Sequence, residues 1–248
     1  MYFKHLTYHF GVIMLLFGCA VSQESNEPLP CKDIANCIPV DAELGQQTEI
    51  TDPQGNIYQI GFDQVSANNQ DSYIIKKDPS GQQLWKHYYD QSPVDSKGLM
   101  ISIDSNEQLW AIFTVDGGSY DEGYLTKNHV ETDAFKQVYA SSYGNGGGPR
   151  VVVLARIHPS SGKIIKGTFL TARLNSGKTN GFNITKMGFS NGHVALLAET
   201  AAWPPGAGRQ YQKMADITDA DRIDNAFHLY YEVATSLDAI ESAKLIRE

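Results

Sequence analysis

A short turn motif recurs along this chain, and recurrence of a turn is among the strongest constraints a sequence places on its own fold. Asp78-Pro79-Ser80-Gly81 is followed by Gln82-Gln83-Leu84-Trp85, and His158-Pro159-Ser160-Ser161-Gly162 by Lys163-Ile164-Ile165. Each turn follows an apolar run of strand character, Tyr73-Ile74-Ile75 and Val151-Val152-Val153-Leu154. A second pairing aligns the stretch from Ile101 to Phe113 with that from Met187 to Leu197. The segments Ile50 to Gly61 and Phe227 to Val233, the latter with Ala243 to Ile246, fit the same frame. Asp, Pro, Asn and Gly in these positions pre-set turn dihedrals or tolerate positive φ.

The assembled pattern predicts three four-stranded units, near residues 49–90, 98–172 and 182–248. Within each unit the second and third strands are near-continuous apolar runs rather than alternating ones, which implies that both faces are covered. Stacked antiparallel four-stranded sheets meet that requirement in a β-propeller. The residues resemble bacterial β-propeller repeat proteins, whose blades carry Asp-x-x-Gly-Asn-x-Tyr in one hairpin and Lys-x-Asp-x-x-Gly-x-x-x-Trp in the next. Asp52-Pro53-Gln54-Gly55-Asn56-Ile57-Tyr58 and Lys76-Lys77-Asp78-Pro79-Ser80-Gly81-Gln82-Gln83-Leu84-Trp85 match. The later units depart, with His158 in place of the Asp and Ile165 and Thr168 where the Trp would fall. The expected fold is therefore all-β, a propeller-like and incomplete array of about three blades with two long loop insertions. Three blades are fewer than the 4–8 that usually close a ring. If each end face were on the order of 500 Å², leaving it in water would forgo roughly 12 kcal/mol gross. A partner, a degenerate closing unit, self-association or a chain shorter than its full-length relatives would each answer this.

The start of the chain carries Lys4, an apolar run from Phe10 to Phe17, and Leu16-Phe17-Gly18-Cys19. The run is too short to span a bilayer, which takes about 20 apolar residues. It resembles a bacterial lipoprotein signal, in which Leu-x-Gly-Cys ends the apolar segment and the cysteine becomes the lipidated first residue. The alternative is an ordinary signal peptidase site nearby with Cys19 incidental. The resemblance implies that residues 1–18 are a signal peptide and that Cys19 carries acyl chains, each buried CH₂ contributing about 0.8 kcal/mol to the anchor. It implies the bacterial cell envelope. In a Gram-negative host, Ala20 rather than Asp after the cysteine favours the outer membrane. Residues 19–48, rich in Ser, Gln, Glu, Asn and Pro up to Gln47, read as a lipidated tether.

With Cys19 lipidated, Cys31 and Cys37 remain in an oxidising compartment. A local disulfide between them is the simple reading. A metal site or reactive thiol pair is the alternative, against which stand the absence of a nearby histidine and a C-x₅-C spacing that is not a recognised ligand pattern. A formal charge of −8 argues against nucleic acid, whose backbone needs clustered Lys and Arg. No second apolar run is long enough to span a membrane.

The two long insertions lie between the second and third strands of their units, from Asp116 to Arg150 and from Ala201 to Asn225. Loops of that length in a compact domain are usually functional or without fixed structure. Both would converge on one propeller face, supplying Tyr120, Asp121, Glu122, Tyr124, Arg150, Trp203, Arg209 and Tyr211 as candidate ligand- or partner-contacting residues. A Tyr-, Trp- and Arg-rich set suits contact with a protein or a glycan; a packed cover over the sheet ends is the competing reading. Asp216, Asp219, Asp221 and Asp224 lack EF-hand spacing. Thr218 with Asp221 reads instead as a helix start. Ser160-Ser161-Gly162-Lys163 falls in a strand turn, and Gly177-Lys178-Thr179 lacks the first glycine of a phosphate loop.

No cofactor, metal or catalytic set is expected. The functional expectation is a non-enzymatic, lipid-anchored envelope protein with a binding or scaffold role, meeting a protein or saccharide partner and open to self-association. The alternatives are a propeller-based enzyme acting on saccharides or through a quinone, for which Asp121, Glu122 and Arg150 are the set to test, and a truncated relative with no activity of its own.

Overall fold

The computed structural model describes residues 37–89, 95–116, 129–146 and 150–247. Its described residues form three four-stranded antiparallel sheets in chain order, the arrangement that the turn repeats imply. Sheet 1 comprises β1 (Glu49–Thr51), β2 (Ile57–Ser66), β3 (Asn69–Lys77) and β4 (Gln83–Tyr88). Sheet 2 comprises β5 (Ser96–Ile103), β6 (Leu109–Val115), β7 (Val151–Ile157) and β8 (Ile164–Leu170). A small hairpin, β9 (Ala172–Arg173) with β10 (Thr179–Asn180), leads into sheet 3. That sheet comprises β11 (Asn183–Ser190), β12 (His193–Thr200), β13 (Phe227–Val233) and β14 (Ile240–Ile246). The fold is all-β, an open propeller-like array.

The turn motifs work through their aspartates. Asp52 Oδ1 accepts from the backbone N–H groups of Gln54 and Asn56 at 3.0 and 2.7 Å, while Tyr58 donates its hydroxyl to Oδ2 at 3.2 Å. Asp104 repeats the pattern, accepting from Asn106 and Gln108 N–H and, through Oδ2, from the Trp110 indole at 3.0 Å. Asp78 does the same for Ser80 and Gln82 in the other hairpin of sheet 1. Burial opposes ionisation of Asp52, yet the hydrogen bonds from Asn56, Tyr58 and Gln54 hold its carboxyl below the usual range. In sheet 3 the corresponding turn is a two-residue Asn191-Gly192 connection with φ of 50° and 76°, the conformation a type I′ hairpin requires. There the carboxylate comes from elsewhere in the chain: Asp41 accepts from Ser190 Oγ and from Asn191 N–H.

Sheet 2 is covered on both faces, as its apolar runs imply. Leu109, Ala111, Phe113 and Val115 of β6, with Val151, Val153 and Ala155 of β7, meet Tyr58, Ile60 and Ile74 of sheet 1. The alternate residues, Trp110, Ile112, Val152 and Leu154, meet Ile184, Leu196, Leu229 and Tyr231 of sheet 3. Every residue of β6 is buried.

The two outermost faces are treated differently. On sheet 3 the outer face is roofed by the chain's own residues 37–45. Cys37 packs with Ala195, Tyr230 and Ile246, and Ile38, Ala42 and Leu44 close around them. Gly45 exchanges backbone hydrogen bonds with Met187 of β11, each 2.9 Å long. Gln47 O then accepts from Ile101 of β5 at 2.8 Å, and Thr48 O from Ile60 of β2 at 2.9 Å. Residues 37–48 thus form a strap that touches all three sheets, so this part of the expected tether is packed onto the domain. The composition misleads because a few apolar residues, spaced by polar ones, suffice to cover one sheet face. Cys37 is a thiol at zero exposure, free among the described residues; Cys31, its expected disulfide partner, lies outside them, as do Cys19 and the signal segment.

The outer face of sheet 1 carries polar and aromatic groups instead. Lys86 pairs with Asp63 at 2.5 Å and sits 4.1 Å from the Tyr73 ring centre, and Tyr88 donates its hydroxyl to Asp63. Hydrogen bonds from Lys86 and Tyr88 hold the Asp63 carboxyl below its ordinary range. This face is compatible with water, and the two wet apolar ends expected of an open array are not both present.

Where sheet 1 meets sheet 2, Trp85, His87 and His129 form a stack, with ring centroids 4.8 and 3.7 Å apart and planes within 7° and 15° of parallel. Burial first, and then the like charges of His87 and Lys163, push the His129 imidazole below its ordinary value of 6.5. A histidine depressed in the folded state contributes stability above its unfolded pKa, and that contribution is lost as pH falls through the folded one. The melting temperature is therefore expected to fall as pH drops below about 6.5. His129→Phe keeps the stack but cannot protonate, so melting curves of this variant should be flatter between pH 7 and 5. An unchanged slope would remove His129 from the cause.

Candidate ligand-binding cavity

Where the inner strands of sheets 2 and 3 meet the strap, a cavity of about 560 Å³ opens. The strap contributes Gln46 and Thr48, and β5 contributes Lys97, Leu99 and Met100. Thr114 and Asp116 come from the end of β6, Arg150 from the residue before β7, and Asn183 and Ile184 from β11. The local sequence explains the placement. Lys97 is cross-strand partner to Thr114, and a register shift between Gly98 and Met100 accommodates Leu99. Asp116 N–H donates to Asp95 O at 2.8 Å, which fixes the end of β6. Arg150 has φ of 68°, and its carbonyl accepts from Phe182 N–H at 3.2 Å, tying it to the approach to β11. Gln46 donates its amide to Thr185 O at 2.5 Å.

The lining is a set of hydrogen-bonding groups over a short apolar floor: two cations (Lys97, Arg150), one carboxylate (Asp116), two amides and two hydroxyls. Such a mixture suits a polar ligand held by several directed bonds. Glycoside hydrolysis by either stereochemical course uses a pair of carboxylates; among the described residues the cavity presents Asp116 alone.

Of the residues expected to form one loop-rich face, Arg150, Trp203, Arg209 and Tyr211 fall among the described residues, at separate places. Tyr120, Asp121, Glu122 and Tyr124 lie outside the described residues. Arg150 lines the cavity. Trp203 is clamped elsewhere: the Lys213 ammonium lies 3.3 Å from its ring centre, Phe227 packs at 5.4 Å, and its indole N–H donates to Asn175. Tyr211 donates to Trp203 O at 3.0 Å, and the Arg173 guanidinium lies 4.2 Å from its ring centre. Burial raises the Tyr211 phenol, against the opposing charge of Arg173. Arg209 sits at the other end of sheet 3, paired with Asp238 at 2.5 Å.

Both insertions act as packed covers in their described parts. Residues 129–146 run beside β8: Val130 bridges Ile164, Ala134 O accepts from Gly167 N–H, and Ala140 O accepts from Phe169 N–H. Phe135 and Tyr143 join the core between sheets 1 and 2, and Tyr139 joins that between sheets 2 and 3. The second insertion places Ala202, Met214 and Ile217 in the latter core and lays Gly208 against Ile240 of β14. Covering an edge strand in this way removes a template for unwanted pairing. The expected helix start at Thr218 is a short 3-10 turn, Asp219–Asp221, in which Asp221 accepts from Thr218 N–H at 2.7 Å. Arg222 and Arg247 engage Asp219 and Asp221 respectively, so these carboxylates are committed to ion pairs.

Sequence reasoning missed Gln46, Thr48, Lys97 and Asn183. Each is an isolated polar residue in an ordinary strand or linker, and only the crossing of the strap brings them together.

No protein-family model matches the chain, and no curated protein matches it. Among solved structures, the chain is weakly similar to the GH43_1 enzyme from Xanthomonas citri in complex with xylotriose, over 84% of this chain and 88% of that one at 9% identity. The TM-score of 0.18 is too low for that likeness to carry an argument.

Proposed function

We propose that this chain is a lipid-anchored bacterial envelope protein, held through Cys19 in the outer membrane, that works by binding rather than by catalysis. Its ligand site is the cavity beneath the strap, and the partner is a saccharide or a polar segment of another envelope protein. The observation that carries the binding reading is the cavity's lining: Lys97, Arg150 and Asp116 with the amides of Gln46 and Asn183 offer many directed hydrogen bonds. The anchor reading rests on the Leu16-Phe17-Gly18-Cys19 signature. The roofed sheet 3 and the polar outer face of sheet 1 favour a domain that stands without a completing blade.

The test uses the full chain in its own membranes, with a photo-crosslinking residue in place of Lys97 and, as control, of Gln59 on the outer face of sheet 1. A discrete adduct from position 97 only, weakened at least tenfold by Arg150→Ala, is the expected outcome. No adduct, or an equal one from both positions, would count against binding at the cavity. Turnover of an oligosaccharide that disappears in Asp116→Asn would replace this reading with the enzymatic one. Mass spectrometry of the mature N-terminus should find acylated Cys19; an unmodified Cys19 removes the anchor.

A further inference from the structure

A second cleft lies at the far end of β7 from Arg150, between sheets 2 and 3. It has a volume of about 740 Å³ and is lined by Arg156, Lys166, Arg209, Gln137, Thr235, Ser236 and Asp238. Register explains how its cations gather. Arg156 of β7 is cross-strand partner to Lys166 of β8, so both project from one face of sheet 2, on the side of Trp110 and sheet 3. The turn between β13 and β14 supplies Thr235, Ser236 and Asp238. The second insertion, held by the bridge from Gly208 to Ile240, delivers Arg209 to the same rim.

The charges of this cleft do not balance. Asp238 is its one carboxylate, and Arg209 and Ser236 both engage it. Those hydrogen bonds hold the Asp238 carboxyl below the usual range, with burial opposing. Lys166 donates to the backbone carbonyl of Lys136 at 2.6 Å, a neutral acceptor. Arg156 stands apart. Its Nε is buried without a hydrogen-bond partner, and its guanidinium makes no ion pair among the described residues. A smaller cavity on its other side holds Asp41 and Asp104. Asp41 accepts from Ser190 and Asn191, and Asp104 from Asn106, Gln108 and Trp110, so the hydrogen bonds of both serve turns. A half-buried arginine with an unpartnered Nε and no ion pair is costly to maintain unless something else satisfies it. Neither Arg156 nor Lys166 makes an ion pair among the described residues, in a chain of net charge −8.

We propose that the cleft binds a phosphate group. Arg156 supplies the forked donor that matches a tetrahedral oxyanion. Lys166 supplies a second charge, and the hydroxyls of Thr235 and Ser236 with the Gln137 amide can serve the remaining oxygens. Phosphate fits better than a carboxylate, because a dianion balances both free cations and its oxygens outnumber the two of a carboxylate. The cleft is open enough for the phosphate to belong to a larger molecule, either a soluble phosphate ester or a lipid headgroup.

Calorimetric titration of the full chain in nonionic detergent with inorganic phosphate, in phosphate-free buffer, tests the proposal. Saturable binding is expected, with at least a tenfold loss of affinity in Arg156→Gln, the scale on which a charged hydrogen bond acts. Lys166→Gln should also weaken binding, and it stands in for Arg156→Gln if that variant melts early. Arg150→Gln, at the other end of β7, should bind phosphate as the parent does, which separates this site from the cavity beneath the strap. Absence of saturable binding, or equal affinity in parent, Arg156→Gln and Lys166→Gln, would overturn the proposal. Dihexanoyl phosphatidylglycerol distinguishes the sources. Displacement of phosphate by this soluble lipid assigns the cleft to a headgroup, and phosphate binding without displacement assigns it to a soluble ester.

Discussion

Gly188→Ala is expected to loosen the strap and cost the domain about 3 kcal/mol, at the upper end of what overpacking normally costs. A methyl group at position 188 would lie 2.1 Å from the carbonyl oxygen of Glu43 and 2.7 Å from its carbon. Both are backbone atoms, so no side-chain rotation relieves the clash. The strap must lift from β11, and Cys37, Ala195 and Leu197 would meet water with it. The most direct readout is the thiol. Cys37 is fully buried in the parent chain and should resist alkylation under native conditions. In Gly188→Ala, peptide mapping after brief alkylation should find Cys37 modified at least tenfold faster. Parental protection of Cys37 together with an unchanged melting temperature would mean that the strap accommodates the methyl group, contrary to the close approach described.

Trp110→Ala should have the largest effect on stability, about 4 kcal/mol. Trp110 is completely buried between sheets 2 and 3, with Phe189 edge-on at 6.3 Å. Its loss leaves a cavity in the core between sheets 2 and 3 and deprives Asp104 Oδ2 of the indole donor. For a domain of typical stability, about 5–15 kcal/mol, that is a large share of the total. The melting temperature should drop by on the order of 10 °C. Trp110→Phe separates the two contributions, because it keeps most of the ring but not the N–H, and should cost only about 1–2 kcal/mol. Denaturant titration of both variants checks the ranking. Equal losses would show that the hydrogen bond, rather than the packing, matters at this position.

Much of this architecture is legible in the sequence because its turns are chemically explicit. Asp52, Asp78 and Asp104 each sit two residues before a backbone N–H that they bind, so the aspartates mark hairpins without reference to anything distant. The apolar runs of β6 and β7 announce a sheet covered twice. What escaped depends on long-range crossings. Gly188 looks like any strand glycine until Glu43 is laid over it. Asp41 replaces a turn aspartate that sheet 3 lacks, from a position about 150 residues away in sequence. Trp203 and Tyr211 have the composition of a recognition surface, but Lys213 and Arg173 occupy their ring faces. Arg150 was identified from its loop, whereas Lys97 and Asn183 lie in strands whose pattern says nothing of a cavity.

The strap also orders events in time. Its polar contacts reach from Gln46 to Thr185 and from Cys37 to Lys244, separations of 139 and 207 residues. The surface beneath residues 37–46 is made by β11 to β14, so that part of the strap has no docking site until sheet 3 has formed. Contacts of such separation come late, because the intervening chain must first give up its freedom. A chain emerging from its amino end would therefore carry residues 37–46 unpaired while both earlier sheets fold, and would close this cover only after its last strand is in place.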